Sequence, residues 1–203
     1  MLAAVQSREE YMSEQPSETL DTAAFAAVLK GRRSIDLFRP EPVGVEVLLE
    51  AIEVARWAPN HRLTEPWRFY LVGMNTRHAL IDLAAELDAA KKGERAGEAR
   101  RARLTAIPAF FVLTSRRSDD SLLDREDYAA CCCAAQNLML VLWQRGVGVK
   151  WTTGGVTRDS RFYELLGIDA VKEVVVGFFW YGLPKVVPTQ KRRPVADIVV
   201  ERP

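Results

Sequence analysis

Ala55-Arg56-Trp57-Ala58-Pro59-Asn60-His61-Arg62-Leu63-Thr64-Glu65-Pro66-Trp67-Arg68-Phe69 is the stretch that orders this chain. It passes from a helix through a Pro/Asn turn into a strand. Before it, Val43 to Trp57 carries Leu48, Ile52 and Ala55 at helical spacing, which predicts a helix with one apolar face. Pro59 has no N–H to continue that helix, and Asn60 tolerates the left-handed backbone a sharp turn requires. From Trp67 to Gly73 the aromatic and β-branched residues, closed by glycine, predict a strand.

Upstream lies a second dense segment, Gly31-Arg32-Arg33-Ser34-Ile35-Asp36-Leu37-Phe38. Thr19 or Asp21 is placed to cap a first helix running through Lys30, with Phe25, Val28 and Leu29 on one face, and Gly31 ends it. Residues 1–18 are polar and acidic and read as a tail, leaving 19–203 as one domain. Downstream, Thr76 to Lys92 reads as an amphipathic helix and Ala109 to Ser115 as a buried strand. Asp124 to Arg145 is the longest helix candidate, apolar nearly all round from Ala129 to Trp143, with Gly146 as its C′ residue. A helix apolar on every side is expected to be buried on every side, as a central core helix or in a dimer interface. Val147 to Trp151 is a short strand followed by Thr152-Thr153-Gly154-Gly155, then a helix from Ser160 to Leu166 stopped by Gly167. Glu173 to Leu183 is the strongest strand, and Pro184 to Pro203, with four prolines, suits an extended arm. This order predicts an α+β fold: a mixed central sheet packed by helices.

The net charge of +1 on 203 residues gives no field directed at nucleic acid or a membrane. Lys91 to Arg103 is dense in charge, but Glu94 and Glu98 interrupt it and it holds no aromatic to stack on bases. A solvated helix or a lid is the better reading. No run approaches the ~18 apolar residues that span a bilayer, and the N-terminus lacks the basic-then-apolar order of a signal peptide. Cys131, Cys132 and Cys133 are adjacent. Neighbours on a helix point about 100° apart, so they form neither a disulfide nor a zinc spacing. They suit a reducing compartment, and a cytoplasmic location is expected.

Two guanidiniums and a hydroxyl at one point, Arg32, Arg33 and Ser34, match phosphate oxygens. A helix C-terminus also attracts cations, so the tripeptide alone does not decide. A turn carrying Trp57, Asn60 and His61 suits a planar ring. Other chemistries find no motif. Gly146-x-Gly148 does not continue as a dinucleotide fingerprint because residue 151 is Trp, and no phosphate loop occurs. No nucleophile elbow is present, and His61 and His78 are the only histidines, too few for a metal site. Trp143 and Trp180 read as core; Trp151 is open between core and a ligand wall.

Four segments in order carry a resemblance: Arg32-Arg33-Ser34; Pro59-Asn60-His61 leading to Pro66-Trp67; Gly146-Val147-Gly148-Val149-Lys150-Trp151-Thr152-Thr153-Gly154-Gly155; and Lys191-Arg192-Arg193-Pro194. Together they resemble the small, single-domain branch of the nitroreductase family. The resemblance implies an FMN-dependent oxidoreductase that takes hydride from NAD(P)H, with no dinucleotide site of its own, and passes it to a nitroaromatic or quinone by a ping-pong mechanism. A narrower acceptor, or a flavin carrier without turnover, is the alternative. Arg32, Arg33 and Ser34 would face the FMN phosphate, ribityl chain or pyrimidine edge, and Lys191 and Arg193 would close on the phosphate. Trp151, Thr152 and Thr153 would line the ring. The family's usual homodimer, with FMN at the subunit interface, would bring Trp57 and His61 from the partner chain; the ring contact falls to Asn60 or His61. No side chain is assigned as a catalytic acid or base.

Overall fold

The computed structural model describes residues 21–202, in two compact units divided between Gly31 and Arg32. The expected tail 1–18 and the candidate cap Thr19 lie outside the described residues. The first unit contributes helix α1, Thr22–Gly31. Asp21 caps it, its carboxylate accepting from the Ala23 N–H at 2.9 Å.

The second unit opens on Arg32 and holds the rest. Helix α2 spans Val45–Ala55, shorter at both ends than the periodicity predicts. Its last turn tightens, with Trp57 and Ala58 donating to the carbonyls three residues back, and Pro59 then closes it. Strand β1 is Trp67–Leu71. Helix α3, Met74–Lys92, breaks at Gly93 (φ 90°) into α4, Glu94–Thr105. The charge-dense stretch is thus an ordinary helix, paired to acids through Arg101–Asp82, Arg100–Asp88 and Arg103–Asp36.

Strand β2 is Ala109–Arg116 and helix α5 is Ser121–Gln144. That helix starts three residues before Asp124 because Asp120 accepts from the Leu122 and Leu123 N–H groups at 2.9 and 3.3 Å. Strand β3 is Gly148–Thr152, helix α6 Ser160–Leu166 and strand β4 Glu173–Gly182.

The sheet order is β1-β2-β4-β3, antiparallel at every named pair. Beside it, Ser34 makes an isolated parallel bridge to Val149 of β3. One face carries Phe111, Leu113, Val149, Phe179 and Tyr181 against α2 and α5. The other carries Phe110, Val112, Phe178 and Trp180 against α3, α4 and α6. Period-2 alternation fills both faces because helices cover both.

Within the apolar run of α5, Ala130, Cys131, Ala134, Ala135, Leu138, Met139 and Leu142 are buried in the single chain, whereas Ala129 and Cys133 are exposed. A run of small residues shows no preferred face in sequence; the contact surface selects one. The C-terminal arm is extended and exposed as predicted. It is tied at its root, where Arg39 donates to Leu183 O (2.8 Å) and Lys185 to Leu37 O (2.9 Å). No helix among the described residues is long and apolar enough to cross a membrane.

Candidate functional site

The first and third sequence motifs meet at the β3 edge. Ser34 bridges Val149, and the Ile35 N–H donates to Val149 O at 3.1 Å. This approach depends on Gly148. A Cβ there would lie 2.5 Å from Ile35 Cγ1 and 3.0 Å from Pro184 Cγ, so any side chain would push the Arg32–Ser34 segment off the sheet. Ile35 is fully buried and anchors the segment, leaving Arg32 and Arg33 half-buried and Ser34 exposed.

Electrostatics identify what gathers there. Burial, then the positive charges of Arg33 and Arg192, push the Arg32 pKa down. The arm therefore brings Arg192 to the first motif. Lys191, Arg192 and Arg193 are all exposed on the arm; of the three, Arg192 is the one whose charge adds to the lowering at Arg32. Two residues on, Asp36 is held below the usual carboxylate range, chiefly by its hydrogen bond to Lys150 and also by Arg103, whose Nη2 lies 2.7 Å away. Lys150 and Arg103 each stand over the Trp180 ring at 5.3 Å.

At the end of β3, Trp151 is anchored in the core layer. Its indole N–H donates to Val176 O at 2.9 Å and its ring lies 5.2 Å from Phe179. Gly177 makes room for it, since a Cβ there would meet Trp151 Nε1 at 2.3 Å. Val176 is the extra residue of a bulge in β4 opposite Leu113 and Thr114, which frees its carbonyl for the indole. Structure thus favours the core role for Trp151, with its half-exposed edge left for a ligand. Thr152 donates its hydroxyl to Phe178 O at 2.6 Å. Thr153, Gly154 and Gly155 are exposed, and the Thr153 and Gly154 N–H groups have no intramolecular acceptor among the described residues.

The second motif lies elsewhere in the chain. Trp57 is 74% exposed and His61 is exposed on a short 3-10 turn, His61–Leu63. The loop is strained: Arg62, Leu63 and Glu65 hold φ of 58°, 50° and 45°, a region that costs non-glycine residues about 1–3 kcal/mol each. A side-chain lattice holds it. Asn60 accepts from the Glu65 N–H (2.7 Å) and donates to Thr64 Oγ1 (3.0 Å). Thr64 in turn donates to Asp127 of α5 at 2.5 Å. Asn60 is thereby engaged within the loop, while His61 is exposed beside it. Asp127 is buried and had no place in the motif reading, since one acid in an apolar helix gave no sign of its partner.

The loop that carries Trp57 and His61 leads into β1, while Ser34 bridges β3 and Thr152 ends it. β1 and β3 are the two outer strands of the sheet, about 14 Å apart at three strand spacings.

The described residues therefore define a three-layer α+β protein with a cationic edge beside a glycine loop. Residues 29–183 match the model of the nitroreductase family, and the chain belongs to that family. It is 32% identical over 179 residues to YfhC of Bacillus subtilis (strain 168), described as an NAD(P)H nitroreductase, covering 86% of this chain and 92% of that protein. A nitroreductase-like family protein from Bacillus cereus superimposes with a TM-score of 0.79 at 30% identity, covering 93% of this chain and 99% of that one. A protein of Desulfovibrio desulfuricans, described as a nitroreductase and crystallised with FMN, shares the fold at a TM-score of 0.70 and 20% identity, covering 94% and 99%.

Proposed function

We propose that this protein is an FMN-dependent oxidoreductase that takes hydride from NAD(P)H and passes it to a small acceptor such as a nitroaromatic or quinone. The carrying observation is the cluster of Arg32, Arg33 and Arg192. Guanidiniums close enough to depress Arg32 repel one another, and an anion placed among them relieves that repulsion. A phosphate suits the guanidinium forks, so the residues present fit FMN. Relatives described as NAD(P)H nitroreductases, and the fold's FMN-bound example, support the same reading.

In this reading Arg32, Arg33 and Arg192 hold the phosphate end, with Lys191 and Arg193 closing over it. Ser34 offers its exposed hydroxyl to the ribityl chain or the pyrimidine edge. The exposed N–H groups of Thr153 and Gly154 supply fixed dipoles to the ring edge where charge changes. Thr152 and the edge of Trp151 set the wall. FMN, when bound, supplies hydride acceptance and return. Donor and acceptor use one open face in turn, which gives ping-pong kinetics. Solvent supplies protons, so no side chain serves as acid or base.

The protein acts as a homodimer in this reading, with Trp57 and His61 of the partner subunit completing each site; the loop that carries them leads into β1, and the cationic segment pairs with β3, the two outer strands of the sheet. The free thiols Cys131, Cys132 and Cys133 suit the reducing cytoplasm.

The test is the absorption spectrum of the purified protein before and after anaerobic NADPH, then NADH. Flavin bands that bleach are expected. Bands that persist with both donors indicate a carrier, and no bands after added FMN refute the reading.

A further inference from the structure

The charged segment that the flavin reading leaves unused lines a cleft of about 610 Å³, within the size range of small-ligand sites. Its walls come from three places: the C-terminal end of α3 with Lys91 and Lys92, Arg100 of α4, and the turn after β3 with Gly155 and Arg158. Four cations converge there against two carboxylates, Asp88 and Asp159. Asp159 is already committed. It accepts from the Arg161 backbone N–H at 3.0 Å and from the Arg161 guanidinium at 3.0 and 3.1 Å. Asp88 faces Arg100 at 3.9 Å. Lys91, Lys92 and Arg158 form no ion pair among the described residues. Lysines at a helix C-terminus are favoured by the helix dipole, which accounts for Lys91 and Lys92 alone. It does not account for Arg100 and Arg158, which come from other elements to the same space.

Position gives the cleft its meaning. Gly155 belongs to its wall and directly follows the Thr152–Gly154 loop. Three residues span at most about 11 Å, so an anion in the cleft lies one short reach from the loop. A ligand whose reactive ring stacks at that loop and whose phosphates trail away would put a phosphoryl group among these cations.

We propose that this cleft binds a phosphoryl group of the donor dinucleotide. The proposal rests on the reading of the Trp151–Gly155 loop as the flavin wall, and it assigns the donor a docking subsite outside the ring. The phosphoryl group is either the 2′-phosphate that distinguishes NADPH from NADH or the pyrophosphate both carry.

The test uses the purified holoprotein and a variant combining Lys91→Gln, Lys92→Gln and Arg158→Gln. All three side chains are exposed, so folding is not at stake. Calorimetric titration with adenosine 2′,5′-bisphosphate and with ADP reads binding without turnover. The variant is expected to lose at least tenfold in affinity for one or both probes. A charge-matched control, Arg95→Gln with Arg116→Gln and Lys172→Gln, stays within twofold of the parent. Loss with the bisphosphate alone, matched by a rise in KM for NADPH relative to NADH, assigns the 2′-phosphate. Equal loss with both probes, which share a 5′-phosphoryl group, or loss with ADP alone assigns the pyrophosphate. Affinities unchanged in the variant, or lowered equally in the control, overturn the proposal. Because the probes report without flavin reduction, a protein that binds them but does not bleach would refute the reductase reading while retaining the cleft.

Discussion

Replacing Arg32 by alanine separates a binding role from a structural one, because the two roles predict opposite signs. Arg32 is half-buried beside Arg33 and Arg192, and its pKa is pushed down by burial first and by those charges next. The folded state therefore holds this proton less tightly than the unfolded chain does. At neutral pH, where the guanidinium is charged in both states, that charge is a cost to folding. Arg32→Ala should leave the flavin-free protein as stable as the parent or slightly more stable. It should also remove one charge-assisted contact to a phosphate, worth about 1.5–3 kcal/mol, or roughly 10- to 150-fold in Kd. Bound ligand stabilises by RT ln(1 + [L]/Kd). At FMN a hundredfold above the parent Kd that term is about 2.7 kcal/mol, and a thirtyfold weaker variant keeps only about 0.9 kcal/mol of it. The assay is urea unfolding with and without FMN. A variant that binds FMN as the parent does would remove Arg32 from the site. A flavin-free variant weakened by more than about 1 kcal/mol, well above the ±0.5 kcal/mol of an ordinary surface change, would make the arginine structural.

Gly148→Ala should destabilise by about 1–3 kcal/mol through overpacking and loosen FMN, since its Cβ would meet Ile35 Cγ1 at 2.5 Å; an unchanged urea midpoint would contradict that packing. Asp36→Asn tests the Lys150 and Arg103 contacts. A carboxyl whose folded pKa is lowered adds stability above its unfolded pKa and loses it as pH falls through the folded value. The variant should thus be less stable at pH 7 and lose less than the parent does below about pH 4; parallel acid-unfolding curves would rule this out. Iodoacetamide at pH 8 should label exposed Cys133 before buried Cys131, whose thiol burial pushes up to about 12; early labelling of Cys131 would reverse the assignment. Asp127→Ala removes the shorter of the two acceptors of the Thr64 hydroxyl, leaving Asn60 Oδ1 at 3.3 Å, and should cost about 1–3 kcal/mol, with FMN loosened through His61; holoprotein indistinguishable from the parent would sever the loop from the site.

What the sequence disclosed, and what it did not, follows from the range of the interactions. Turns and caps are local, so Gly146, Gly167 and the Ser160–Leu166 helix stand where periodicity put them. The Arg32–Ser34 motif was visible because residue type alone carries its chemistry. Three facts needed contacts between distant residues. Asp127 bonds Thr64 across 63 positions. The Trp151 indole is drawn inward by a bulge at Val176. The exposed face of α5 is set by which side meets the sheet, and a run of alanines and cysteines favours no side. The arm lies between these cases: its basic run is legible, but the return path that brings Arg192 within electrostatic reach of Arg32 is fixed by distant contacts at Leu37, Arg39 and Lys185.

In the proposed homodimer one chain carries half of two sites. At the cationic edge beside β3, Trp151 offers only the part of its ring that the core leaves uncovered. Trp57 and Leu63, each 74% exposed, lie on the loop entering β1 at the far edge, with Leu122 (51%) and Tyr128 (37%) exposed on the helix beneath it. Val195, Ile198, Val199 and Val200 are likewise exposed on the arm. The proposed partner subunit would have these exposed apolar groups to cover. A two-fold partner is the simplest cover, because an isologous interface uses the same patch on both subunits. It would set one chain's Trp57–Leu63 loop opposite the other's β3 edge and generate both sites at once. The strain in residues 62–65 fits that arrangement: a loop that presents His61 to another subunit gains from being fixed before the subunits meet. The Asn60–Thr64–Asp127 lattice fixes it within the chain.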